Sequence, residues 1–111
     1  MKIISLSNLP EEGVSHNPEI KKKVILKVGE VPHLVSLSQA CLKPGQVVGY
    51  HAHDDVYEIF LVERGKGIFC VGKNEYQIEK GVCITVEPGE VHDIKNISSS
   101  DLVLNYFTVK K

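Results

Sequence analysis

Gly45-Gln-Val-Val-Gly-Tyr-His51-Ala-His53-Asp-Asp-Val-Tyr-Glu58-Ile-Phe-Leu-Val-Glu-Arg-Gly65 is the stretch on which the reading of this chain turns. His51 and His53 are two residues apart, so on an extended backbone both imidazoles leave the same face, roughly 7 Å apart. Two nitrogens can then reach one ion. Glu58 has the wrong parity for the same continuous strand, but Asp54-Asp55 between them is a turn signal. A bend there returns the carboxylate from the next strand, Tyr57 to Val62. A fourth donor, His92, stands far along the chain in Glu87-Pro-Gly-Glu-Val-His-Asp-Ile-Lys-Asn96. Three imidazoles and one carboxylate make a mixed nitrogen and oxygen set. Such a set suits manganese, iron, zinc, nickel or copper and argues against calcium or a magnesium cage.

These two segments resemble the paired motifs of the cupin family. The first motif of that family is Gly, five residues, His, one residue, His, three or four residues, Glu, six residues, Gly, and it is matched at Gly45, His51, His53, Glu58 and Gly65. The second is Gly, five residues, Pro, one residue, Gly, two residues, His, three residues, Asn. It is matched at Gly81, Gly89, His92 and Asn96, with Glu87 where the family has its first proline. Pro88-Gly89 still satisfies a type II turn, with Pro second and Gly third. The resemblance runs from about Pro18 to Val109. It implies an all-β fold, an antiparallel jelly-roll β-barrel (double-stranded β-helix), with a divalent transition metal (Mn, Fe, Zn or Ni) held inside by His51, His53, Glu58 and His92. It also implies a homodimer.

Length and composition set the outer bounds. With 111 residues the chain is one domain, and 42% hydrophobic and 24% charged residues are ordinary for a globular protein. We divide it into an N-terminal edge strand and arm, residues 1–18, and a barrel, residues 19–109. A formal net charge of -1 gives no attraction to nucleic acid or to an anionic membrane. No apolar run approaches the ~18 residues of a membrane span. The first residues do not form a secretory signal. Cys41, Cys70 and Cys83 are an odd set without Cys-x-x-Cys spacing, which fits free thiols in a reducing cytoplasm, each buried in an apolar strand.

Taken in order, Ile3, Ile4 and Leu6 read as a short apolar edge strand available to pair with a second copy, hence the homodimer. Leu9 to Pro18 reads as an irregular arm, with His16 exposed in it rather than bound to anything. Eight to ten short strands follow, among them Lys23 to Val28, His33 to Leu42, a strand carrying His51 and His53, Tyr57 to Val62, and Leu102 to Val109. No segment shows helical periodicity over ten residues. His33 begins its strand beside Pro32 and is not expected to be a ligand.

Inside the barrel, Phe60 and Val62 share the face of Glu58 and are expected to line the pocket, together with Tyr106 from the last strand. Asn96 has the parity of His92 and sits by the pocket, where a structural hydrogen bond explains it. The expected ligand is a small, partly apolar molecule with an oxygen donor on the metal. Two functions fit: a metal-binding module holding such a ligand, or a metal-dependent enzyme of oxygenase (dioxygenase-like), isomerase or lyase type. The residues provide no Ser-His-Asp set, phosphate-cradling loop or aromatic platform for nucleic acid.

Overall fold

Alternation of inward and outward side chains is the rule that builds this protein. In the strand Val56–Arg64, Val56, Glu58, Phe60 and Val62 turn inward and are buried, while Leu61, Glu63 and Arg64 face solvent. The computed structural model describes residues 1–111 and contains nine strands. They are β1 (Glu12–Val14), β2 (Asn17–Leu26), β3 (Leu34–Leu42), β4 (Val56–Arg64), β5 (Lys66–Val71), β6 (Asn74–Glu79), β7 (Cys83–Val86), β8 (His92–Lys95) and β9 (Leu102–Lys110). All pairs are antiparallel. One sheet has six strands in the order β1-β2-β3-β9-β4-β7, and the other has three in the order β6-β5-β8. The fold is the expected all-β barrel of two facing sheets.

The last strand, β9, lies between β3 and β4, so the end of the chain closes the larger sheet through its middle. Val62, Phe69, Ile78 and Leu102 fill the closed part of the barrel between the two sheets. The open part is a cavity of about 950 Å³.

Three expectations need correction. The segment around Ile3, Ile4 and Leu6 is not a strand: Leu6–Asn8 forms one 3₁₀ turn, and Met1 and Ile3 are exposed. It is held by side chains, with Lys2 paired to Glu30 and Lys23 Nζ donating to the Leu6 carbonyl at 2.8 Å. The free strand edge behind the dimer expectation is therefore absent there. The supposed irregular arm instead contains β1 and the start of β2, a hairpin that turns at Ser15-His16. Finally, only Cys70 among the three cysteines is buried; Cys41 is half-buried and Cys83, on an outward position of β7, is exposed.

Two glycines of the motifs have definite steric reasons. Gly65, at the β4–β5 turn, has φ +89°, and a Cβ there would fall on the Asp101 carbonyl oxygen. Gly89 has φ +84°, and Glu90 N–H donates to the Glu87 carbonyl at 3.2 Å, the type II turn expected from Pro88-Gly89. Glu87 has an amide hydrogen where the family proline would have none, and it donates that hydrogen to Glu90 Oε1 at 2.8 Å.

Gly65→Ala should therefore cost more than about 3 kcal/mol of stability, because strain and backbone displacement add. Gly72 has φ +57° with open space around it, so Gly72→Ala should cost only about 1–2 kcal/mol. Urea denaturation of the two variants measures the difference, and equal losses would contradict the close-packing explanation for Gly65.

Candidate metal centre

The segment between β3 and β4 is not a regular strand. It touches the smaller sheet at two single bridges, Val47 to Lys95 and His51 to His92. The second bridge is a reciprocal pair: His51 N–H donates to the His92 carbonyl at 3.0 Å, and His92 N–H donates to the His51 carbonyl at 2.9 Å. Residues directly opposite in such a pair have side chains on the same face. The two imidazole centroids are thus 4.3 Å apart although 41 positions separate them in the chain.

Neighbouring bonds fix this register. Gly49 N–H donates to Asp93 Oδ1 at 2.7 Å, Val48 N–H to the Ile94 carbonyl at 3.0 Å, and Gly89 N–H to the His53 carbonyl at 2.7 Å. Asp93, almost wholly buried, also accepts from Ile94 N–H. It pins the Gly49 turn that aims His51 and was not marked by sequence reasoning. Asn96 is buried too, but its amide donates to the Leu42 and Ser100 carbonyls at 2.8 Å. It is a clamp between loops and does not line the cavity.

Glu58 arrives from the opposite sheet, on β4 beside Thr108 of β9 and Val86 of β7. The Asp54-Asp55 bend returns the chain as the sequence suggested. Glu58 Oε1 lies 3.0 Å from His92 Nε2 and 3.3 Å from His53 Nε2. His51, Glu58 and His92 have donor atoms all within 4.8 Å of one another. His53, at the rim, joins Glu58 and His51; its ring is 5.3 Å from His51 and 6.2 Å from His92.

A buried aromatic floor orients this group. The His92 ring stacks on Phe69 at 5.9 Å, and Phe60 contacts both Phe69 and Tyr106 at 5.6 and 5.5 Å. Phe60 and Tyr106 line the cavity, with Val14, Leu42, Val48 and Ile94 among the other apolar walls. Val62 packs in the closed core and does not reach the cavity. His33, in a left-handed turn with φ 70°, is exposed and apart from the cluster.

The donor set fits a cation. His51 Nδ1 is 2.8 Å from the Gly49 carbonyl and His92 Nδ1 is 2.9 Å from the Glu90 carbonyl. A carbonyl only accepts, so both Nδ1 atoms carry hydrogen and both Nε2 atoms face the site, the arrangement found behind metal-bound histidines. With no ion, His92 Nε2 must also carry hydrogen to bond the Glu58 carboxylate, which makes His92 an imidazolium. A divalent cation held there would take the place of that proton.

The electrostatic surroundings of these groups agree. Burial pushes the Glu58 carboxyl up, but the His92 hydrogen bond and the charges of His53, His92 and His51 outweigh it and hold it below the ordinary range. Burial pushes His92 down, but the bonds to Glu58 and to the Glu90 carbonyl hold it above its ordinary value. His51 is lowered, chiefly by burial, with His92 and His16 adding to the effect against the Gly49 hydrogen bond.

The feature absent from the expected set is His16. From the β1–β2 turn its ring stacks on His51 at 3.9 Å with planes 21° apart and lies 5.8 Å from His53. It remains exposed to solvent, but it is not isolated as expected: it stands at the mouth of the site. No motif spacing marks it, because only the folding of the hairpin over the barrel brings it there.

A family model described as "Cupin domain" matches residues 38–109. The chain belongs to the cupin family. Among the curated relatives of this cupin, an oxalate-binding protein of Thermotoga maritima is 39% identical over 62 residues, which are 55% of this chain and 50% of that protein. The chain spans about half the length of the curated relatives it matches. Among solved structures, a predicted oxalate decarboxylase of Thermotoga maritima superposes with a TM-score of 0.92 at 23% identity, covering 99% of this chain and 100% of that one. A polyketide cyclase of Streptomyces resistomycificus gives 0.83 at 16% identity, covering 99% and 79%. At those identities the two structures show a common fold. No helix of the cupin is long and apolar enough to cross a membrane.

Three outcomes test the centre. In the metal-free protein, Glu58 adds stability above its ordinary value of 4.5, and that contribution is lost as pH falls through its lower folded value. His92 adds stability below its ordinary 6.5, lost as pH rises through its higher folded value. The pair should therefore contribute fully between about pH 4.5 and 6.5. Denaturation across pH should show the gap between wild type and Glu58→Gln widest in that window; a gap that grows steadily to pH 9 would contradict the pairing. With metal bound the trend reverses, since imidazoles must be neutral to coordinate. The metal should leave as pH falls below about 6.5, and His53→Ala should lower metal content at neutral pH without unfolding the barrel. Both are read by elemental analysis after desalting.

Proposed function

We propose that this cupin holds one divalent transition metal with His51, His53, Glu58 and His92, and that the ion captures the carboxylate or other chelating oxygens of a small organic acid. The observation that carries the reading is the convergence of Nε2 atoms from His53 and His92 on Glu58 Oε1, at the polar end of a largely apolar cavity. Four protein donors fill a tetrahedral ion but leave two positions on an octahedral one, where a chelating ligand replaces water. When bound, the ion supplies a Lewis-acidic charge for those oxygens. The relative named for oxalate binding supports an acid ligand.

The cavity also bears on ligand size. Its volume of about 950 Å³ lies at the upper end of the ~300–1,000 Å³ of pockets for drug-sized molecules. Oxalate alone would leave most of the apolar wall uncovered. The ligand we favour therefore has a chelating acid head for the metal and an apolar body against Phe60, Val48, Ile94 and Leu104. Tyr106 reaches into the same space. Burial pushes its hydroxyl up to about 12, with the nearby Glu58 also raising it and Ser38 opposing, so it stays protonated and serves as a hydrogen-bond donor.

Titration of the manganese-loaded protein with oxalate and with longer 2-oxo acids or diketones, followed by electron paramagnetic resonance, tests this. The expected result is a changed manganese signal, with the ligands of apolar body binding tighter than oxalate and Phe60→Ala weakening only the former. A signal indifferent to every chelating acid would overturn the reading. Carbon dioxide release or dioxygen consumption in the same samples would move the protein into the metal-dependent decarboxylase or oxygenase alternative.

A further inference from the structure

We propose that His16 forms, with His51 and His53, an outer three-imidazole position for the cation, an alternative to the inner position at Glu58 and His92 and the first stop of an ion arriving from solvent. The inference rests on the metal reading above and extends it to a residue outside the cupin motifs.

The donor atoms fall into two overlapping triads. Those of His51, Glu58 and His92 lie within 4.8 Å of one another, and so do those of His16, His51 and His53. His51 belongs to both, and His53, with its Nε2 3.3 Å from Glu58 Oε1, also adjoins the inner one. Since one imidazole nitrogen binds one ion, the two triads cannot be filled together; they are two places for the same ion. The inner triad is buried, with His92 at 0% exposure and Glu58 at 7%, whereas His16 is exposed and His51 and His53 are half-buried. The outer triad therefore lies between solvent and the inner one.

The chemistry of the two places differs. Three neutral imidazoles with water in the remaining positions make an open site of the kind that zinc, cobalt and copper occupy. The inner place adds a carboxylate, which compensates the ion's charge once water is left behind. His16 is suited to the outer role because it sits on the two-residue Ser15-His16 turn of the edge hairpin and can turn its ring without disturbing a ladder. Its ring lies on His51 at 3.9 Å with planes 21° apart, so His16 must tilt out of the stack for its in-plane lone pair to meet that of His51 at one point. An ion arriving there exchanges some of its water for imidazole, then moves inward when His53 and His51 pass it to Glu58 and His92. His51 Nδ1 stays on the Gly49 carbonyl throughout, so the same Nε2 serves both positions.

The test is cobalt binding, measured by competition with a chelator, in wild type, Glu58→Gln, and Glu58→Gln/His16→Ala. Glu58→Gln removes the inner carboxylate at constant shape, so the ion should rest in the outer triad. Loss of a supporting outer-shell group costs about 10- to 100-fold in metal affinity, so loss of a direct donor should cost at least about tenfold. The double variant should accordingly bind at least about tenfold more weakly than Glu58→Gln. Equal affinity in the two would overturn the outer position while leaving the inner one intact. Wild type that binds no cobalt at all would overturn both. Should Glu58→Gln fail to fold, wild type and His16→Ala are compared by stopped-flow cobalt uptake: slower uptake at His16→Ala with little change in final affinity supports the proposal, and identical rates overturn it.

Discussion

The reciprocal hydrogen bonds between His51 and His92 are the constraint on which the site depends. This bridge joins an otherwise irregular segment to β8, sets the two imidazoles side by side, and is locked on both flanks by Asp93 below and the Gly89 turn above. Glu58 then needs only to face inward from the opposite sheet, which the alternation of β4 ensures. A one-residue slip at either place would turn a donor to solvent.

Much of this was legible in the residues. His51, His53, Glu58 and His92 stand at motif spacing, and the strand count, the Asp54-Asp55 bend and the Pro88-Gly89 turn are local signals that tertiary packing did not override. What was misread depended on distant contacts. Ile3 and Ile4 look like a strand because they are apolar, yet no partner strand lies beside them, and Lys2 and Lys23 tie the segment down instead. Val62 and Phe60 share a face on β4, but the cavity ends between them, so parity alone could not tell wall from core. His16 was invisible for the same reason in reverse: a polar residue in a turn reads as solvent-exposed until the hairpin is seen to lie over the mouth.

The cluster also illustrates how a barrel interior tolerates ionisable groups. Glu58 and His92 are buried, and no buried side-chain polar atom lacks a hydrogen-bond partner. Without a metal, a proton shared along the His92–Glu58 bond offsets the desolvation of the carboxylate. A bound cation would do so in place of the proton. The same atoms thus serve either state, and the choice between them depends on pH and metal supply. The remaining cavity wall is mostly apolar, so the proposed ligand would meet the polar end with its head and the aromatic and aliphatic walls with its body.

Which donors the His51–His92 bridge brings to one ion decides the chemistry of the site. X-ray absorption spectroscopy of the zinc- or manganese-loaded protein in solution tests it most directly. Two or more imidazole rings together with carboxylate oxygen are expected around one ion, with a loss of one ring's scattering in His92→Gln. A first shell containing sulfur, or one with no imidazole, would contradict it.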